Sequence, residues 1–387
     1  MYQILTLNKI SPLGLDHFDK AKYQCGGEQA APDGIVVRSA SMHDMELPVS
    51  LKAIARAGAG VNNIPVDVCS EKGIVVFNTP GANANAVKEM VIAGLLLSAR
   101  KVIPAIEWAG TLKGQGDQVG KLVEKGKGQF VGPELAGKKL GVIGLGAIGV
   151  LVANCARHLG MKVYGYDPYL SVDAAWKLSR DVVHAKNVKE IYENCDFISV
   201  HVPLNAGTKG MINSEAIKLM RPGVRVLNFS RDGLVESADM LEALAAGKVE
   251  RYVTDFPTEE MLGVENVVAI PHLGASTPES EDNCAEMAVL QLMDYLENGN
   301  IVNSVNLPSV SLGQKQGARI GVIHKNIPNM LSQITQTIST ENMNIANMMN
   351  KSKGDHAYTL LDIEGAVGQP ILDKIKAIDG VIRVSLY

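Results

Sequence analysis

Lys138-Lys-Leu-Gly-Val-Ile-Gly-Leu-Gly-Ala-Ile-Gly149 is the stretch that decides the fold of this chain. An apolar strand leads into the pattern Gly-x-Gly-x-x-Gly, with glycines at 144, 146 and 149, and a helical pattern follows. The first glycine allows a tight turn, the second lets the backbone approach a pyrophosphate, and the third lets the helix pack close to the strand. The positive end of that helix would then attract the pyrophosphate.

A second strand-like run, at residues 162–166, brings Asp167 to the position where this fingerprint has an acidic residue. Its carboxylate can accept hydrogen bonds from the ribose hydroxyls of NAD and would repel the 2′-phosphate of NADP. Close packing of a strand on a helix could alone explain three glycines, but the flanking strands, the helix and the acid together favour a dinucleotide site. The sequence therefore predicts NAD as the cofactor, bound by Gly144, Gly146, Ala147, Ile148, Gly149 and Asp167.

Length and composition bound the fold and exclude some functions. A chain of 387 residues suggests two or three domains. A net charge of −4 gives no basic footprint for a nucleic acid, and the apolar run 140–156 is too short and too rich in glycine for a membrane helix. The N-terminus does not have the pattern of a signal peptide. The five cysteines lack metal-binding spacing, so we expect a cytoplasmic protein with reduced thiols and no metal site.

The order of strand-like and helix-like stretches predicts an α/β fold with three structural units. A Rossmann-type nucleotide domain with a doubly wound parallel sheet is expected at residues 90–275. A flavodoxin-like substrate domain is expected to join residues 1–89 to the returning segment 276–303. A polar linker, 304–315, precedes a unit at 316–387, where the predicted order βαββαβ is a ferredoxin-like layout.

Polar side chains follow the predicted strands of the nucleotide domain, namely Arg231, Asp255, Glu259 and His272. In an open parallel sheet the ligand site lies at the carboxyl ends of the strands. An Arg can hold a carboxylate through two hydrogen bonds, and a His can exchange a proton near neutral pH. Each residue alone would usually be an ordinary loop residue, but together, beside a nicotinamide, they would suffice for hydride transfer.

Five motifs occur in the order in which D-2-hydroxyacid dehydrogenases carry them, and they make the chain resemble that family. They are Gly144-Leu-Gly-Ala-Ile-Gly149, His201-Val-Pro-Leu204, Asn228-Phe-Ser-Arg-Asp-Gly-Leu-Val235, Phe256-Pro-Thr-Glu259 and Pro271-His-Leu-Gly-Ala-Ser-Thr277. Three N-terminal pieces narrow the resemblance to the phosphoglycerate dehydrogenases, namely Val37-Arg-Ser-Ala40, Arg56-Ala-Gly-Ala-Gly-Val-Asn-Asn63 and Asn78-Thr-Pro80. The terminal unit resembles an ACT domain.

The resemblance implies NAD-dependent oxidation of 3-phospho-D-glycerate to 3-phosphohydroxypyruvate, the first step of L-serine biosynthesis, in a homodimer or homotetramer. Arg231 would bind the substrate carboxylate, His272 would be the general acid/base, and Glu259 would be its partner. The cofactor would also meet His201, Pro203 and Asp255. The substrate phosphate would face Arg56 and Arg38, and its carboxylate would face the backbone of Gly58, Ala59, Gly60 and Val61.

The ACT-like unit would bind L-serine as a feedback effector through His324, Asn326 and Asn344. The chain departs from the family pattern at three places. Asp232 stands where a Gly usually follows the catalytic Arg, and the Asp-x-Phe step is shortened to Asp255-Phe256. Asn329 replaces the Gly of an Asn-x-Pro-Gly turn, so the turn can survive, since Asn tolerates unusual backbone angles, while serine binding is hindered. The alternative role of this unit is oligomerisation.

Two other functions fit the sequence less well. Another D-2-hydroxyacid dehydrogenase could act on glycerate or a different phosphorylated acid, although an unphosphorylated substrate would not need Arg38 and Arg56. A non-catalytic NAD-sensing protein, like the C-terminal-binding corepressors, would share the fold, but the ACT-like tail argues against it. A turnover assay separates these classes.

Overall fold

The computed structural model describes all 387 residues, which form two compact units. The first unit joins Met1–Asn83 to Pro278–Tyr387, and the second is Ala84–Thr277. The strands are β1 (Tyr2–Leu7), β2 (Tyr23–Gly26), β3 (Gly34–Val37), β4 (Ala53–Arg56), β5 (Val75–Phe77), β6 (Lys139–Ile143), β7 (Lys162–Tyr166), β8 (Val183–His184), β9 (Phe197–Val200), β10 (Val224–Asn228), β11 (Val249–Thr254), β12 (Val267–Ala269), β13 (Ala318–Lys325), β14 (Ile345–Lys353), β15 (His356–Ile363) and β16 (Val381–Leu386).

The helices connect these strands, as short turns or as longer segments that cover the sheets. They are α1 (Pro12–Leu15), α2 (Val66–Glu71), α3 (Ala84–Ala99), α4 (Val102–Gly110), α5 (Val119–Gly126), α6 (Ala147–His158), α7 (Val172–Lys177), α8 (Val188–Asn194), α9 (Ser214–Leu219), α10 (Ser237–Ala245), α11 (Pro278–Asn298), α12 (Met330–Thr340) and α13 (Gln369–Lys376). None of them combines the length and the apolar character that a membrane crossing requires.

The second unit is built on a seven-stranded parallel sheet in the order β12-β11-β10-β9-β6-β7-β8. When the strands are counted from β6, this order is that of a Rossmann sheet with one further strand. The chain first adds β7 and β8 on one side of β6, and from β9 onward it adds strands on the other side, so the order of the strands reverses between β6 and β9. Side chains alternate across the sheet, so Phe197 and Leu227 enter the core under α3 and α6, whereas Ile198 and Val226 enter the opposite core. Burial on both faces explains why these strands are continuous apolar runs.

The first unit contains a five-stranded parallel sheet in the order β2-β1-β3-β4-β5, which is the flavodoxin-like order. Helix α11 returns from the far end of the chain and packs Ala288 and Leu292 on one face of this sheet. Gly34 of β3 allows this close approach, because a Cβ would lie 3.0 Å from the Leu292 side chain and would displace it. The other face is covered by a second core that includes Leu51, and also Ile64 ahead of α2.

The C-terminal part of the first unit forms an antiparallel four-stranded sheet in the order β14-β15-β13-β16. Its element order is the predicted βαββαβ. One face is covered by α12 and α13, with Val322 and Leu361 in the core between them. The other face is also buried, because Ile323, Tyr358 and Leu360 join the core around α11. Both faces of the central strands β13 and β15 are therefore buried, whereas the edge strand β14 is largely exposed.

A single arginine joins the C-terminal sheet to the end of α11. Arg319 is 1% exposed, and its guanidinium forms an ion pair with Asp362 at 2.5 Å. The same group donates to the carbonyl oxygens of Asn298, at 2.9 Å, and Gly313, at 2.7 Å. Because Asn298 is the last residue of α11, the positive charge also lies at the negative end of the helix.

Two boundaries of the predicted domains differ from the structure. Helix α3 runs through the predicted boundary at residues 89 and 90, and the compact unit begins at its first residue. The stretch 304–315, predicted to be a linker, buries Ser304, Asn306, Leu307 and Val310. The Asn306 side chain accepts from the amide of Val76 and donates to the carbonyl of Ile74. It therefore makes hydrogen bonds to the backbone at β5 of the kind that a neighbouring strand would make. Polar composition therefore did not indicate exposure here.

Candidate active site

In the second unit, the predicted site residues follow the carboxyl ends of the strands. Gly144 follows β6, Asp167 follows β7 and His201 follows β9. Arg231, Asp255 and His272 follow β10, β11 and β12 in the same way. Since all seven strands are parallel, these ends share one edge of the sheet. The topology thus places on one edge residues that are widely separated in the sequence.

The glycine-rich loop has the geometry that close approach to a ligand requires. Gly144 has φ of 92°, in the left-handed region. A Cβ at Gly149 would overlap the carbonyl oxygen of Gly144, so helix α6 can begin this close to β6 only with glycine there. A Cβ at Gly146, by contrast, would have no atom within 4 Å. Gly146 and Ala147 are exposed and Ile148 is half-buried, so the first turn of α6 offers an open, positively polarised surface.

Asp167 holds this loop through backbone hydrogen bonds. One carboxylate oxygen accepts from the amide of Leu145 at 2.8 Å, and the other accepts from the amide of Tyr169 at 2.8 Å. Each carboxylate oxygen can accept more than one hydrogen bond, so capacity for ribose hydroxyls remains. The negative charge beside the loop would oppose a further phosphate.

Arg231, the residue predicted to bind the substrate carboxylate, is positioned by Asn228, a motif residue to which the sequence gave no role. Asn228, 2% exposed at the end of β10, donates to the carbonyl of Arg231 at 2.9 Å and accepts from the amide of Ser230 at 3.1 Å. The Arg231 side chain is exposed, and its guanidinium donates to the carbonyl of Ser230. Asp232 is exposed and accepts from the Gly233 amide, so it forms no ion pair with Arg231.

Asp255 and His272 lie together. The Asp255 carboxyl is 2% exposed; its Oδ2 accepts from the amide of Gly274 at 3.3 Å, and its Oδ1 has no partner. Burial raises the pKa of the Asp255 carboxyl, while the nearby charge of His272 opposes that rise. The His272 ring is exposed and lies against Phe256, with centroids 4.7 Å apart. Backbone bonds from the His272 amide to Asp255 and Ile270 hold the residue at φ of 46°.

The predicted pairing of Glu259 with His272 is not present in the structure. Glu259 opens a short 3₁₀ turn, Glu259–Met261, where its side chain is exposed and forms no hydrogen bond or ion pair, while its carbonyl accepts from the amide of Leu262. Phe256 lies beside the imidazole, and the His272 amide donates to the Asp255 carbonyl at 3.1 Å. The loop after β11 therefore brings Asp255 to His272, whereas Glu259 is separated from it by the turn.

His201, at the end of β9, is a half-buried residue. Its Nε2 pairs with the Ser199 hydroxyl at 2.8 Å, and its Nδ1 is buried without a partner. Burial lowers the pKa of His201 to about 4, so the ring is uncharged at neutral pH. Its backbone carbonyl is the group that a Cβ at Gly144 would meet, at 2.6 Å. The neighbouring Pro203 carbonyl accepts from the Thr208 hydroxyl at 2.6 Å.

In the first unit, Arg56 folds over the predicted substrate loop. A Cβ at Gly58 would overlap the Arg56 guanidinium, and one at Gly60 would lie 3.8 Å from its Nη1. The Arg56 Nε donates to the carbonyl of Arg38 at 3.1 Å. Arg38 forms an exposed ion pair with Glu281 of α11, at 2.7 Å, which the sequence did not indicate. The Ala59 carbonyl accepts from Asn78 at 2.7 Å, and the Val61 carbonyl accepts from the amide of Ile64.

The predicted effector residues are all engaged within the C-terminal sheet and its loops. His324 is 3% exposed, and its ring nitrogens pair with the Lys325 carbonyl at 2.8 Å and the Thr359 hydroxyl at 2.9 Å. Burial lowers the pKa of His324. Asn326 donates to the Gly354 carbonyl, and Asn344 donates to Glu364. Asn329 has φ of 68°, so the turn keeps the left-handed conformation despite the replacement of Gly.

Comparison with known proteins decides the family. Residues 95–274 match the NAD-binding domain of the D-isomer specific 2-hydroxyacid dehydrogenases. A D-3-phosphoglycerate dehydrogenase of Escherichia coli is 33% identical over 349 residues, which are 87% of this chain and 81% of that protein. The chain belongs to the D-isomer specific 2-hydroxyacid dehydrogenase family. The predicted family and the predicted cofactor, NAD, are thereby confirmed.

Two further relatives define the extent of the similarity. A D-3-phosphoglycerate dehydrogenase of Methanocaldococcus jannaschii is 36% identical over 73% of this chain, but the chain spans only 54% of that relative's length. The crystal structure of the NAD⁺-bound 3-phosphoglycerate dehydrogenase of Entamoeba histolytica matches with a TM-score of 0.60 at 26% identity. That match covers 79% of this chain and 98% of the other.

The residues present fit an NAD molecule. The first turn of α6 leaves space at Gly146 where a pyrophosphate needs it, and Asp167 supplies a carboxylate at the end of the next strand. The unpartnered Oδ1 of Asp255 is a buried acceptor suited to an amide N–H donor such as a carboxamide. These groups follow three different strands, so the fit depends on the sheet as a whole.

Two substitutions in the glycine-rich loop, at Gly149 and Gly146, separate its role in folding from its role in NAD binding. We predict that Gly149→Ala lowers the free energy of unfolding by about 3 kcal/mol, the upper end of overpacking costs, because the methyl group meets the Gly144 carbonyl. Gly146→Ala should keep wild-type stability but bind NAD at least about tenfold more weakly, because its methyl group occupies the pyrophosphate position. Urea unfolding and calorimetric titration with NAD measure both. Equal effects of the two variants on stability would contradict these roles.

The lowered pKa of His201 predicts that the free energy of unfolding depends on pH. Its pKa is lowered only in the folded state, so the stability that the neutral ring provides is complete above pH 6.5 or so and is lost as pH falls toward about 4. Between pH 7 and pH 5 we expect a loss of about 2 kcal/mol from this group. His201→Asn, which keeps a partner for Ser199, should show a correspondingly smaller loss in urea unfolding. Parallel pH profiles for wild type and variant would contradict the assignment.

Proposed function

We propose that this chain oxidises 3-phospho-D-glycerate to 3-phosphohydroxypyruvate with NAD, in the direction of L-serine synthesis. The observation that carries the proposal is the hydrogen bond from the His272 amide to the Asp255 carbonyl, at the same edge of the sheet where Arg231 follows β10. The relatives named D-3-phosphoglycerate dehydrogenase support the choice of substrate. We further propose that the protein is cytoplasmic and forms a homodimer or homotetramer.

The bound NAD would accept a hydride from C2 of the substrate. The exposed guanidinium of Arg231 holds the substrate carboxylate, because a planar guanidinium matches a carboxylate in two hydrogen bonds. His272 takes the hydroxyl proton, and Phe256 limits the movement of its ring. When ionised, Asp255 stabilises the protonated imidazole that results, since an opposite charge nearby favours the charged form.

A phosphorylated substrate explains the two arginines of the first unit. Arg56 lies over the Gly58–Gly60 loop, where glycines leave room for a ligand at the backbone. Arg38 pairs with Glu281 at the surface, and such exposed pairs contribute roughly 0–1 kcal/mol. Exchanging Glu281 for a phosphate would therefore cost little. The second candidate, another D-2-hydroxyacid dehydrogenase, would use these arginines differently, and glycerate is the substrate that tests it.

The proposed activity is tested by NADH oxidation with 3-phosphohydroxypyruvate, hydroxypyruvate, pyruvate and 2-oxoglutarate. We expect kcat/KM for the phosphorylated acid to exceed that for hydroxypyruvate at least about tenfold. His272→Ala should lower kcat about 10²–10⁴-fold, the usual contribution of a general acid/base, while NAD affinity is retained. Turnover with none of these acids by a chain that still binds NAD would favour the non-catalytic alternative.

A pair of carboxyl variants identifies the partner of His272. Asp255→Asn removes the charge that interacts with the imidazole, so we expect it to shift the pH–rate profile. Glu259→Gln should leave that profile nearly unchanged, because Glu259 forms no bond to His272. The opposite ranking would restore the pairing predicted from the sequence.

We also propose that the C-terminal unit is an ACT-like domain whose response to L-serine is weak or absent. Its effector residues already have partners, and both ring nitrogens of His324 are in use. The Asn329 side chain adds bulk at the turn where serine would approach the backbone. Calorimetry and inhibition with L-serine should show little effect on the wild type. Strong inhibition of the wild type would refute this, and a gain of binding in Asn329→Gly would locate the obstacle in that turn.

A further inference from the structure

A basic cavity lies inside the first unit, where the C-terminal sheet meets the N-terminal sheet. Its volume is about 470 Å³, and it is lined by residues 47–50 and by both ends of the loop between α2 and β5. The other wall is formed by the end of α13 and by β16. Four cationic side chains line it, namely Lys52, Lys72, Lys376 and Arg383, and no carboxylate does. In a chain of net charge −4, this local excess of positive charge requires an explanation.

Three of these four cations have no acidic partner. Lys52 forms an ion pair with Asp33 at 3.1 Å, which lies outside the cavity lining. The Lys72 ammonium donates only to the carbonyl of Leu47, at 3.3 Å, and the Lys376 ammonium forms no hydrogen bond or ion pair. Arg383 donates to the carbonyls of Leu51, at 2.6 Å, and Val49, at 3.4 Å. Carbonyl oxygens orient a guanidinium but do not neutralise it, so its charge remains available to an anion.

The position of Arg383 is fixed by the backbone around it. Gly73 has φ of 63°, and a Cβ there would lie 3.0 Å from the Cβ of Arg383. Strand β16 is the edge of its sheet, so one side of it has backbone N–H groups without a strand neighbour. The cavity thus combines a guanidinium oriented by carbonyl oxygens with two lysine ammonium groups that have no acidic partner, a set that suits oxyanions.

We propose that this cavity binds a small multivalent oxyanion, with the phosphoryl or tricarboxylate chemistry of common metabolites. Arg383 forms paired hydrogen bonds to one oxyanion group, and Lys72 and Lys376 balance the remaining charge. Lys72 belongs to the N-terminal part of the unit and Lys376 to the C-terminal part. A bound anion therefore joins the two parts, and it relieves the repulsion among the cations that now face one solvent-filled space.

The bridging position has a dynamic consequence. The segment 47–51 is held to the C-terminal sheet through Arg383, so an anion on that guanidinium stabilises the junction between them. Ligand binding to the folded state raises its stability according to concentration and affinity. Hydrogen exchange should therefore slow in segments 47–52 and 381–386 when the anion binds.

The test is calorimetry of the full chain with inorganic phosphate and with citrate, at ionic strength held constant with sodium chloride. Lys72→Ala with Lys376→Ala should weaken binding at this site at least about tenfold, because two charged contacts are removed. Both lysines are exposed, so the double variant should fold. Lys351→Ala is the matched control, since Lys351 is an exposed lysine on β14, at the opposite edge of the same sheet. Arg383→Lys tests the need for a planar guanidinium.

Hydrogen exchange distinguishes this cavity from any anion site in the catalytic region. The proposal requires anion-dependent protection of 47–52 and 381–386 in the wild type and in Lys351→Ala, and its loss in the double variant. Tighter binding of phosphate would identify a phosphoryl ligand, and tighter binding of citrate would identify a polycarboxylate. Absence of protection in the wild type at about 10 mM of either anion, a concentration that reveals millimolar affinities, would overturn the proposal. Unchanged protection in the double variant would overturn it as well.

Discussion

The contact between Gly149 and the Gly144 carbonyl is the constraint on which the second unit depends. Helix α6 can begin directly over β6 only because residue 149 has no side chain. Strand β6 lies between β7 and β9, where the order of the sheet reverses, so the same contact forms the crevice at that reversal. Asp167 then closes the loop through the amide of Leu145. The same close contact between helix and strand therefore serves both the binding of the cofactor and the packing of the domain core.

The chemistry of the site comes from how the strand ends are buried. Asp255 is buried, His201 is half-buried, and burial alters the pKa of both side chains, whereas Arg231 and His272 are exposed. Asn228 donates a hydrogen bond to the carbonyl of Arg231, and the ring of Phe256 packs against the ring of His272. In the proposed reaction, the less exposed groups at the strand ends would provide fixed acceptors and charges, and the exposed ones would provide the reactive atoms. That division matches the demands of hydride transfer, where proton exchange must be fast and geometry must be constant.

Local patterns in the sequence predicted most of the fold, because glycine spacing, apolar runs and the βαββαβ order each depend on near neighbours. The failures involve distant residues. The family resemblance predicts Glu259 as the partner of His272, but in the structure the exposed Glu259 side chain forms no bond, and Asp255 is joined to His272 through the backbone. Residues 304–315 were polar enough to resemble a linker, yet Asn306 bonds to backbone more than two hundred residues earlier. The pairing of Arg38 with Glu281 likewise needs the return of α11. No local signal contains such information.

The central claim is that this chain transfers hydride from C2 of a D-2-hydroxy acid to NAD at the edge of its seven-stranded sheet. The most direct measurement uses 3-phospho-D-glycerate carrying deuterium at C2, with mass analysis of the nicotinamide product. The account predicts one deuterium in the NADH formed, and its absence when the substrate is labelled only at C3. Unlabelled NADH, or no NADH from a chain that binds both ligands, would contradict it.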